Sequence, residues 1–560
     1  MRRLLLPWVW VLLLAATLFA EPMVLDQNWV ESLERRVGSG QDGTIYQHIL
    51  HVEPHGELST LGDAMQTALP LLERGESVQI KLPAGTFRES LGHVVFTGEA
   101  VETPLAIVGA GAGRTVLSGS DLRPLDEWTD LGEGLYRIDW PHDWGNWAYP
   151  WETPGVLGHR SEMVFVNGGP MRPTLLETYD YGRTGDDMDH GDREQTWTYT
   201  GMADPASLPP GSFGVAEREE NGNALYLRLP SDVVMDNLRI EVSSRRQLLR
   251  FNGGDHFGSG KNNFTLRGVT VQHFASRTRN YGEEATISLG RNSQGVHLEG
   301  CDFLWNSAHG LSLEATGVTL RDCRFSFNGF SGIGAGLDNA LIEGCTTNFN
   351  NWRGALGDQR GWWLGGVKLQ RSVGNVVRGH RSIGNLAPGF WYDIQNEDIY
   401  LADCQFLGND GAGLFFEISN GPLLAERIVS ASNHGALLLS IVGHVELRDS
   451  VLHTTSPGQT WVKEDRVPYP TVLMQWYLRE DEHVARETAL VPERVELRDC
   501  VLLSSGDGMT IVQNNGVTRT RPEYEQVDKM YRGNGNTFSP TPRFGWVTRN
   551  WATVLDQPAD

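Results

Sequence analysis

Two carboxylate residues hold equivalent positions in two successive repeats of this chain of 560 residues. Asp393 lies four residues after Gly389, and Glu417 lies four residues after Gly413. If each repeat forms one coil of a parallel β-helix, the two side chains stack on neighbouring strands, which lie ~4.7–4.9 Å apart. Carboxyl groups ~5–5.5 Å apart suit a double displacement at the anomeric carbon of a sugar, whereas pairs that invert this carbon stand ~6.5–9.5 Å apart. The spacing therefore predicts a site for glycoside chemistry.

Electrostatics gives a second reason to read this pair as functional. Like charges that face each other on neighbouring strands destabilise a sheet. Two close carboxylates do not both ionise easily, so one is expected to stay charged and the other protonated. In a retaining glycosidase the charged group attacks the anomeric carbon. The protonated group protonates the leaving oxygen and then activates water.

The repeats that position this pair are clear from about residue 262 onwards. Asparagines recur in register at Asn306, Asn328, Asn350, Asn385, Asn409 and Asn433. Five residues before each of them lies a second column, Cys301, Cys323, Cys345, His380, Cys404 and Ile428. These periods predict an all-β fold, a right-handed parallel β-helix, with an asparagine ladder at its turns. The second column is expected to be interior, with buried thiols and with a structural rather than catalytic His380.

The strand after each glycine has two outward positions per coil, because strand residues alternate between faces. The fourth position gives the outward column Glu314, Gly336, Gln370, Asp393, Glu417 and Leu439. The second position gives the outward column Ser312, Gly334, Lys368, Trp391, Phe415 and Leu437. Aromatic residues beside carboxylates are typical of the floor of a cleft. We therefore expect Glu314, Lys368, Gln370, Trp391 and Phe415 to bind substrate, and a salt bridge from Lys368 to stabilise the charge of Asp393.

A loop at residues 355–365 interrupts the coil that precedes the carboxylate pair. Loops on a rigid scaffold often carry function. Its candidate substrate-binding residues are Asp358, Arg360, Trp362 and Trp363. The two tryptophans could form a wall against which a sugar stacks, or they could fold back onto the coil.

The remaining chain divides into five parts. Residues 1–20 resemble a signal peptide, with two arginines, an apolar run and small residues before Glu21. Residues 21–120 read as a cap and first coils, in which Ser59 or Thr60 caps a helix with Asp63 in its first turn. Residues 121–245 interrupt the repeat pattern of the coils, which predicts an inserted β-sandwich-like domain. Residues 246–540 form the β-helix with the active-site face, and residues 541–560 form a C-terminal tail.

Composition limits the partners. The formal net charge of −23 argues against nucleic acid and anionic membranes. We expect an exported protein, periplasmic or extracellular, that acts on carbohydrate and is not inserted in a membrane once the signal peptide is removed. No cofactor is required by this chemistry and no metal site is predicted. The acidic cluster Asp186, Asp187, Asp189 and Asp192 reads as a solvated loop, with a structural Ca²⁺ as the alternative. The oligomeric state is left open.

One stretch resembles a known family. It runs from about residue 365 to about residue 435 and includes GGVKLQRSVGNVVRGHRSIGNLAPGFWYDIQ followed by GLFFEISNGPLL. These segments resemble the β-helical retaining β-xylosidases of glycoside hydrolase family 120. The resemblance implies a β-helix with an inserted β-sandwich, Asp393 as the nucleophile and Glu417, which precedes an Asn-Gly-Pro, as the acid/base.

The resulting prediction is a secreted retaining glycoside hydrolase acting on plant or algal poly- or oligosaccharide. Two rivals share the fold, since a fold does not determine function. One is a Ca²⁺-dependent polysaccharide lyase that uses Lys368 as base, with Arg371 nearby. The other is a carbohydrate-binding β-helix protein without catalysis. The sugar, the linkage and the choice between exo and endo action are not specified by the sequence.

Overall fold

The computed structural model of the chain describes seventeen stretches that include the whole carboxylate region. They are residues 25–37, 43–142, 144, 160–176, 179–182, 196–199, 201–218, 222–253, 260–276, 285–289, 292–353, 364–454, 471–475, 494–504, 511–514, 531–539 and 544–547.

Three long sheets wind along the chain, and successive coils add one parallel strand to each of them. This arrangement confirms the predicted right-handed parallel β-helix. Sheet A consists of His48–His51, Val78–Lys81, Leu105–Val108, Phe264–Arg267, His297–Glu299, Thr319–Arg321, Leu341–Glu343, Val373–Arg378, Glu397–Ala402, Leu423–Glu426, His444–Arg448, Arg494–Arg498 and Tyr531–Asn534. Sheet B consists of Gly85–Phe87, Thr115–Ser118, Thr270–Gln272, Asp302–Leu304, Arg324–Ser326, Thr346–Asn348, Arg381–Ile383, Gln405–Leu407, Val429–Asn433, Val451–Thr454, Val501–Ser504 and Thr537–Ser539.

Sheet C carries the carboxylate pair. Its strands are Gly92–Phe96, Leu249–Gly253, Ile287–Ser288, Leu311–Thr316, Ile333–Asp338, Val367–Gln370, Phe390–Asp393, Ala412–Ser419, Gly435–Val442, Val472–Gln475, Ile511–Asn514 and Phe544–Val547, with Ser293–Gln294 paired beside Leu311–Thr316. The interior between the three sheets is filled by buried aliphatic and phenylalanine side chains. Burial of this apolar surface holds each strand in a fixed register, because a slip by one residue would turn every side chain to the other face.

The predicted asparagine ladder is confirmed at the turn between sheets B and C. The side-chain amide of Asn306 donates to Oδ1 of Asn328 at 3.1 Å, and Asn328 donates in the same way to Asn350 at 3.1 Å. The ladder continues through Asn385 to Asn409. Each amide is buried, so the ladder satisfies turn groups that water does not reach.

The interior column also behaves as expected. The five cysteines are free and buried, and burial raises the pKa of the Cys404 thiol to about 12. His380 is fully buried, lies 3.1 Å from the hydroxyl of Thr347, and has its pKa lowered to about 3 by burial. These groups are structural, because none of them reaches the outer face of sheet C.

Between Ser120 and Ser243, within the predicted inserted domain, the strands form separate sheets in which all pairs are antiparallel except Arg172–Pro173 with Ser212–Arg218. The first sheet consists of Ser120–Arg123, Val164–Val166, Gly169–Pro170 and Ile240–Ser243. The second consists of Thr129–Asp130, Leu135–Trp140, Arg172–Pro173, Ser212–Arg218 and Gly222–Arg228, and a separate pair consists of Tyr179–Gly182 and Thr196–Tyr199. A buried cluster that includes Trp140, Phe213 and Leu225 forms the core of this domain. The acidic cluster at residues 186–192 lies outside the described residues.

Helices occur at the N-terminal end of the fold. Helix α1, Gln27–Val37, packs on the outer face of sheet A. Helix α2, Leu61–Leu72, begins at Thr60, whose hydroxyl accepts from the backbone N–H of Asp63 at 2.9 Å, as one of the two predicted caps. A third helix, α3, spans Glu99–Glu102, and short 3₁₀ turns span Leu125–Glu127 and Pro205–Ser207. Among the helices of the described residues, none has the length and apolar character needed to cross a membrane.

Arg353 connects the predicted inserted domain to the β-helix just before the predicted loop at residues 355–365. Arg353, the last described residue before that loop, is buried and donates to Ser307 Oγ at 2.6 Å and to the carbonyl of Arg160 at 2.7 Å. Arg160 in turn pairs with the buried Glu162 at 2.5 Å. Burial lowers the pKa of Arg353 to about 10, so this guanidinium stays charged near neutral pH. The hydrogen bonds of Arg353 thus connect Arg160 to the turn between sheets B and C that contains Ser307.

Candidate active site

Asp393 and Glu417 lie side by side on the outer face of sheet C. The strands Phe390–Asp393 and Ala412–Ser419 are parallel neighbours, and Asp393 is the register partner of Glu417. Register partners point to the same face, and their backbones are one strand spacing apart, ~4.7–4.9 Å. Asp393 is 3 % exposed, whereas Glu417 is partly exposed. The geometry fits the separation needed for a retaining pair better than that needed for an inverting pair.

The carboxylate of Asp393 is held by two donors from the preceding strand. Nζ of Lys368 lies 2.8 Å from Oδ2, and the side-chain amide of Gln370 donates to the same oxygen at 3.1 Å. Lys368 is itself only 4 % exposed. A buried ammonium and an amide that both contact Oδ2 stabilise the negative charge of Asp393 and fix its orientation. Both of these contacts are with Oδ2, and among the described residues Oδ1 has no hydrogen-bond partner.

The aromatic pair beside the carboxylates supports Lys368. Trp391 stacks on Phe415 with ring centroids 4.7 Å apart, and Nζ of Lys368 lies 3.6 Å from the centroid of the Trp391 ring. The indole is fully buried and Phe415 is 8 % exposed. Both faces of the Trp391 ring are thus occupied, by Lys368 and by Phe415, and the predicted contact of Trp391 with substrate stays a prediction. The indole attracts the ammonium by its ring quadrupole and holds it beside Asp393.

The coil after Glu417 corrects the predicted register. Glu417 pairs with Ser440 and Phe415 pairs with Leu438, one residue later than the expected Leu439 and Leu437. The reason is that Gly435 comes two residues after Asn433, whereas Gly413 comes four residues after Asn409, so Gly435 pairs with Ala412 and not with Gly413. The hydroxyl of Ser440 consequently lies 3.5 Å from Oε1 of Glu417 and borders the pair.

The glycines that precede the two carboxylates are required by the closeness of the coils. A Cβ at Gly389 would lie 2.6 Å from the carbonyl oxygen of Gly413 and 2.8 Å from the amide nitrogen of Asn409. Real side chains do not approach that closely, so these positions admit only glycine without a shift of the backbone. The glycine spacing that revealed the pair is therefore a consequence of how the coils pack on the asparagine ladder.

The other predicted binding residues divide into two groups. Gln370 contacts Asp393, and Glu314 is exposed on the same face, in register with Gly336. The predicted loop residues Asp358, Arg360, Trp362 and Trp363 lie outside the described residues. Their roles therefore stay predictions.

One histidine near the site was not identified from the sequence. His309 comes from the turn before Leu311–Thr316, and its ring covers Gly334, where an added Cβ would lie 3.2 Å from both Cε1 and Nδ1. Gly334 is the register partner of Lys368. His309 is 7 % exposed, and burial lowers its pKa to about 4. The ring is thus neutral near pH 7, one strand away from the residue that holds Asp393.

Part of the chain matches a known family model. Residues 285–451 match the right handed beta helix region family, and this range contains Lys368, Asp393 and Glu417. No curated protein matches the chain.

Several solved structures align with this chain at low sequence identity. The structure of XylC in complex with xylose aligns with 90 % of this chain and 86 % of its own, with a TM-score of 0.57 and 12 % identity. The A-module of the Azotobacter vinelandii mannuronan C-5 epimerase AlgE4 aligns with 85 % of this chain and 90 % of its own, with a TM-score of 0.44 and 12 % identity. A structure described as a glycoside hydrolase aligns with 90 % of this chain and 97 % of its own, with a TM-score of 0.45 and 10 % identity. At 12 % identity the likeness to the XylC structure shows the fold alone.

Proposed function

We propose that this protein is a retaining glycoside hydrolase in which Asp393 is the nucleophile and Glu417 is the general acid/base. The observation that carries this proposal is the register pairing of the two carboxylates on adjacent parallel strands. One strand spacing is close to the carboxyl separation that retaining enzymes use, which supports the proposal. The similarity to XylC, whose structure contains xylose, supports a sugar as the ligand of this face.

The environments of the two carboxylates favour this division of roles. Asp393 is buried and bound by an ammonium and an amide, both of which stabilise the charged form that a nucleophile needs. Glu417 is more exposed and lies beside that negative charge and a serine hydroxyl, an environment that suits a group that gives and takes a proton. The resemblance to family 120 leads to the same assignment.

The reaction follows from this arrangement in two steps. Oδ1 of Asp393 attacks the anomeric carbon while the bond to the leaving oxygen breaks, and that oxygen takes the proton of Glu417. The resulting glycosyl ester on Asp393 is then attacked by water, whose proton goes to Glu417 as the carboxylate of Asp393 departs. Lys368 and Gln370 keep Oδ2 fixed throughout, so only Oδ1 changes its bonding.

The ion pair weakens the case for the lyase alternative. A lyase base must accept a proton, whereas Lys368 is held as an ammonium by Asp393 at 2.8 Å and by the ring of Trp391. Its described contacts therefore suit a supporting role. We further propose that the protein is exported, needs no cofactor for this chemistry, and takes carbohydrate as its partner.

A panel of aryl glycosides tests the proposal. Xyloside, arabinoside, fucoside, galactoside and glucoside substrates are assayed with wild type, Asp393→Asn and Glu417→Gln. Glu343→Gln is a matched control, since Glu343 is a surface carboxylate on sheet A that pairs with Arg321 at 2.8 Å. We expect one glycoside to be cleaved, the Asp393 and Glu417 variants to lose at least about 10²–10⁴-fold in rate, and the control to retain it.

The contrary results are equally clear. Cleavage that survives both substitutions would remove the carboxylate pair from the mechanism. If uronate polymers are instead converted to unsaturated products and a chelator stops the reaction, the protein is a lyase. Binding of sugars that never leads to turnover, and that Glu417→Gln does not alter, would indicate a carbohydrate-binding protein.

A further inference from the structure

A short column of buried polar side chains lies directly behind the carboxylate pair. Its members, Ser372, Asn396 and Ser419, follow Gln370, Asp393 and Glu417 by two or three residues along the chain. All three are fully buried. The side-chain amide of Asn396 donates to Oγ of Ser419 at 3.0 Å, and Oδ1 of Asn396 accepts from the backbone N–H of Ser372 at 3.0 Å. Asn396 therefore connects the coil before it to the coil after it.

The Ser372–Asn396–Ser419 column is bonded to the backbone of the site residues. The hydroxyl of Ser419 donates to the carbonyl oxygen of Glu417 at 2.7 Å, and the hydroxyl of Ser372 donates to that of Gln370 at 3.2 Å. The carbonyl oxygen of Glu417 also accepts from the backbone N–H of Ile394 at 3.1 Å. These bonds hold the peptide group that follows each site residue, and so they limit the direction in which that residue can turn.

The backbone takes a left-handed conformation immediately after both carboxylates. Ile394 has a φ of 57°, Gln395 has a φ of 56°, and Ile418 has a φ of 44°. A β-branched residue rarely adopts this region, because its side chain crowds the neighbouring backbone there. Such conformations persist where surrounding contacts over-determine the backbone, and they cluster at functional sites. The buried column supplies contacts of this kind beside Asp393 and Glu417.

The extent of the column coincides with the coils that carry the site. In the coil after Glu417, the register partner of Ser419 is the apolar residue Val442. In the coil before Gln370, the column is met by backbone, because the N–H of Leu337 donates to Oγ of Ser372 at 2.9 Å. The asparagine ladder, by contrast, continues from Asn306 to Asn433. A column that served the scaffold alone has no reason to match the site in this way.

We propose that the Ser372–Asn396–Ser419 column positions the carboxylate pair, with Asn396 and Ser419 as positioning residues. The column fixes the peptide groups behind Asp393 and Glu417, so that the separation and direction of the two side chains stay constant during the reaction. This inference rests on the proposed function, because it assigns the column a part in the chemistry of that pair.

Two serines of the same chain offer a matched comparison. Ser430 is fully buried like Ser419, donates to the carbonyl oxygen of Ala436 at 2.7 Å, and accepts from the side-chain amide of Asn433 at 3.1 Å. Ser419→Ala and Ser430→Ala therefore remove the same two kinds of hydrogen bond, and both should lower the thermal unfolding midpoint by a similar amount. Of the two serines, Ser419 is the one bonded to the backbone of Glu417.

Kinetics with the best aryl glycoside separates positioning from stability. We expect Ser419→Ala to lower kcat about 10–10²-fold with KM nearly unchanged, because a small misplacement of a reacting group slows the chemical step. Ser430→Ala should keep both constants. The alkaline limb of the pH profile should move by about 0.5 pH unit or more in Ser419→Ala alone, because retention of the proton on Glu417 depends on its distance from the charge of Asp393.

Crystal structures of wild type and both variants give a readout that needs no turnover. We expect the carboxyl groups of Asp393 and Glu417 to shift relative to each other by about 0.5 Å or more in Ser419→Ala and not in Ser430→Ala. If wild type cleaves glycosides but the two variants agree in kcat, pH profile and carboxyl geometry, the positioning role is refuted and the hydrolase stands. If wild type cleaves no glycoside but the pair shifts in Ser419→Ala alone, the hydrolase is refuted and the positioning of the pair is supported. Equal losses of rate in both variants with an unmoved pair would refute the positioning role.

Discussion

Replacing Lys368 by methionine is the most informative single perturbation of this site. Lys368 and Asp393 are 4 % and 3 % exposed, and their charged atoms are 2.8 Å apart. Removing one partner of a buried ion pair leaves an uncompensated charge and costs about 3–5 kcal/mol. The contact of the ammonium with Trp391 adds about 0.5–2 kcal/mol. We therefore expect the free energy of unfolding of Lys368→Met to fall by at least about 3 kcal/mol.

Sheet A offers a control with nearly the same ion-pair distance and much greater exposure. Arg267 and Glu299 are 2.9 Å apart, with side chains 38 % and 42 % exposed. Water screens such a pair, so Arg267→Met should cost only about 0–1 kcal/mol. The contrast between the two substitutions measures the effect of burial, because the distance is almost constant.

Urea unfolding, followed by tryptophan fluorescence and circular dichroism, gives both values. Asp393→Asn and the double variant with Lys368→Met complete a mutant cycle, for which we expect a coupling of about 0.5–3 kcal/mol. Turnover of the best aryl glycoside should fall with Lys368→Met and not with Arg267→Met. If Lys368→Met costs no more than Arg267→Met, the site is not the buried, charge-stabilised pair described above.

Three further expectations concern the scaffold. Burial lowers the pKa of His309 to about 4 and that of His380 to about 3, so below pH ~6.5 each histidine gains a proton when the protein unfolds. The free energy of unfolding should therefore fall by about 1.4 kcal/mol per pH unit per histidine from pH ~6.5 towards pH 4. Equal slopes for wild type and His380→Asn in urea titrations would contradict this. Asn328→Ala removes the oxygen that accepts two hydrogen bonds from Asn306, so the free energy of unfolding in the same assay should fall by about 2–5 kcal/mol. A decrease under about 1 kcal/mol would contradict a stabilising role of the ladder. Gly389→Ala should lower the free energy of unfolding by about 1–3 kcal/mol and reduce turnover, because its Cβ would clash with the next coil and shift the strand that carries Asp393. Unchanged stability and rate would show that the coils can separate to accommodate it.

The parts of this fold that were predictable are those controlled by local repeats. The asparagines and the interior column set the coil register, and the glycines follow from the close approach of coils at Gly389. The pairing of Asp393 with Glu417 could therefore be deduced from spacing alone. The same reasoning placed Lys368 beside Asp393, because residues two apart on neighbouring strands share a face.

The failures have physical causes that spacing does not record. The predicted register after Glu417 was wrong by one residue, because Gly435 comes two residues after Asn433, whereas Gly389 and Gly413 come four residues after their asparagines. Trp391 points outward as expected, but its faces are covered by Lys368 and Phe415, and a sequence does not show which neighbour a ring stacks on. His309 belongs to a turn and not to a strand column, so its only signal was the absence of side chains at the glycines beneath it.

The most direct test of the central claim is to trap the glycosyl ester on Asp393. The protein is incubated with the 2,4-dinitrophenyl 2-deoxy-2-fluoro derivative of whichever glycoside it cleaves, and the intact mass and the peptides are then measured. A retaining mechanism with the assigned roles predicts that the mass increases by one fluorosugar and that the adduct lies on Asp393. An adduct on another residue, or a product of inverted anomeric configuration without any adduct, would contradict it.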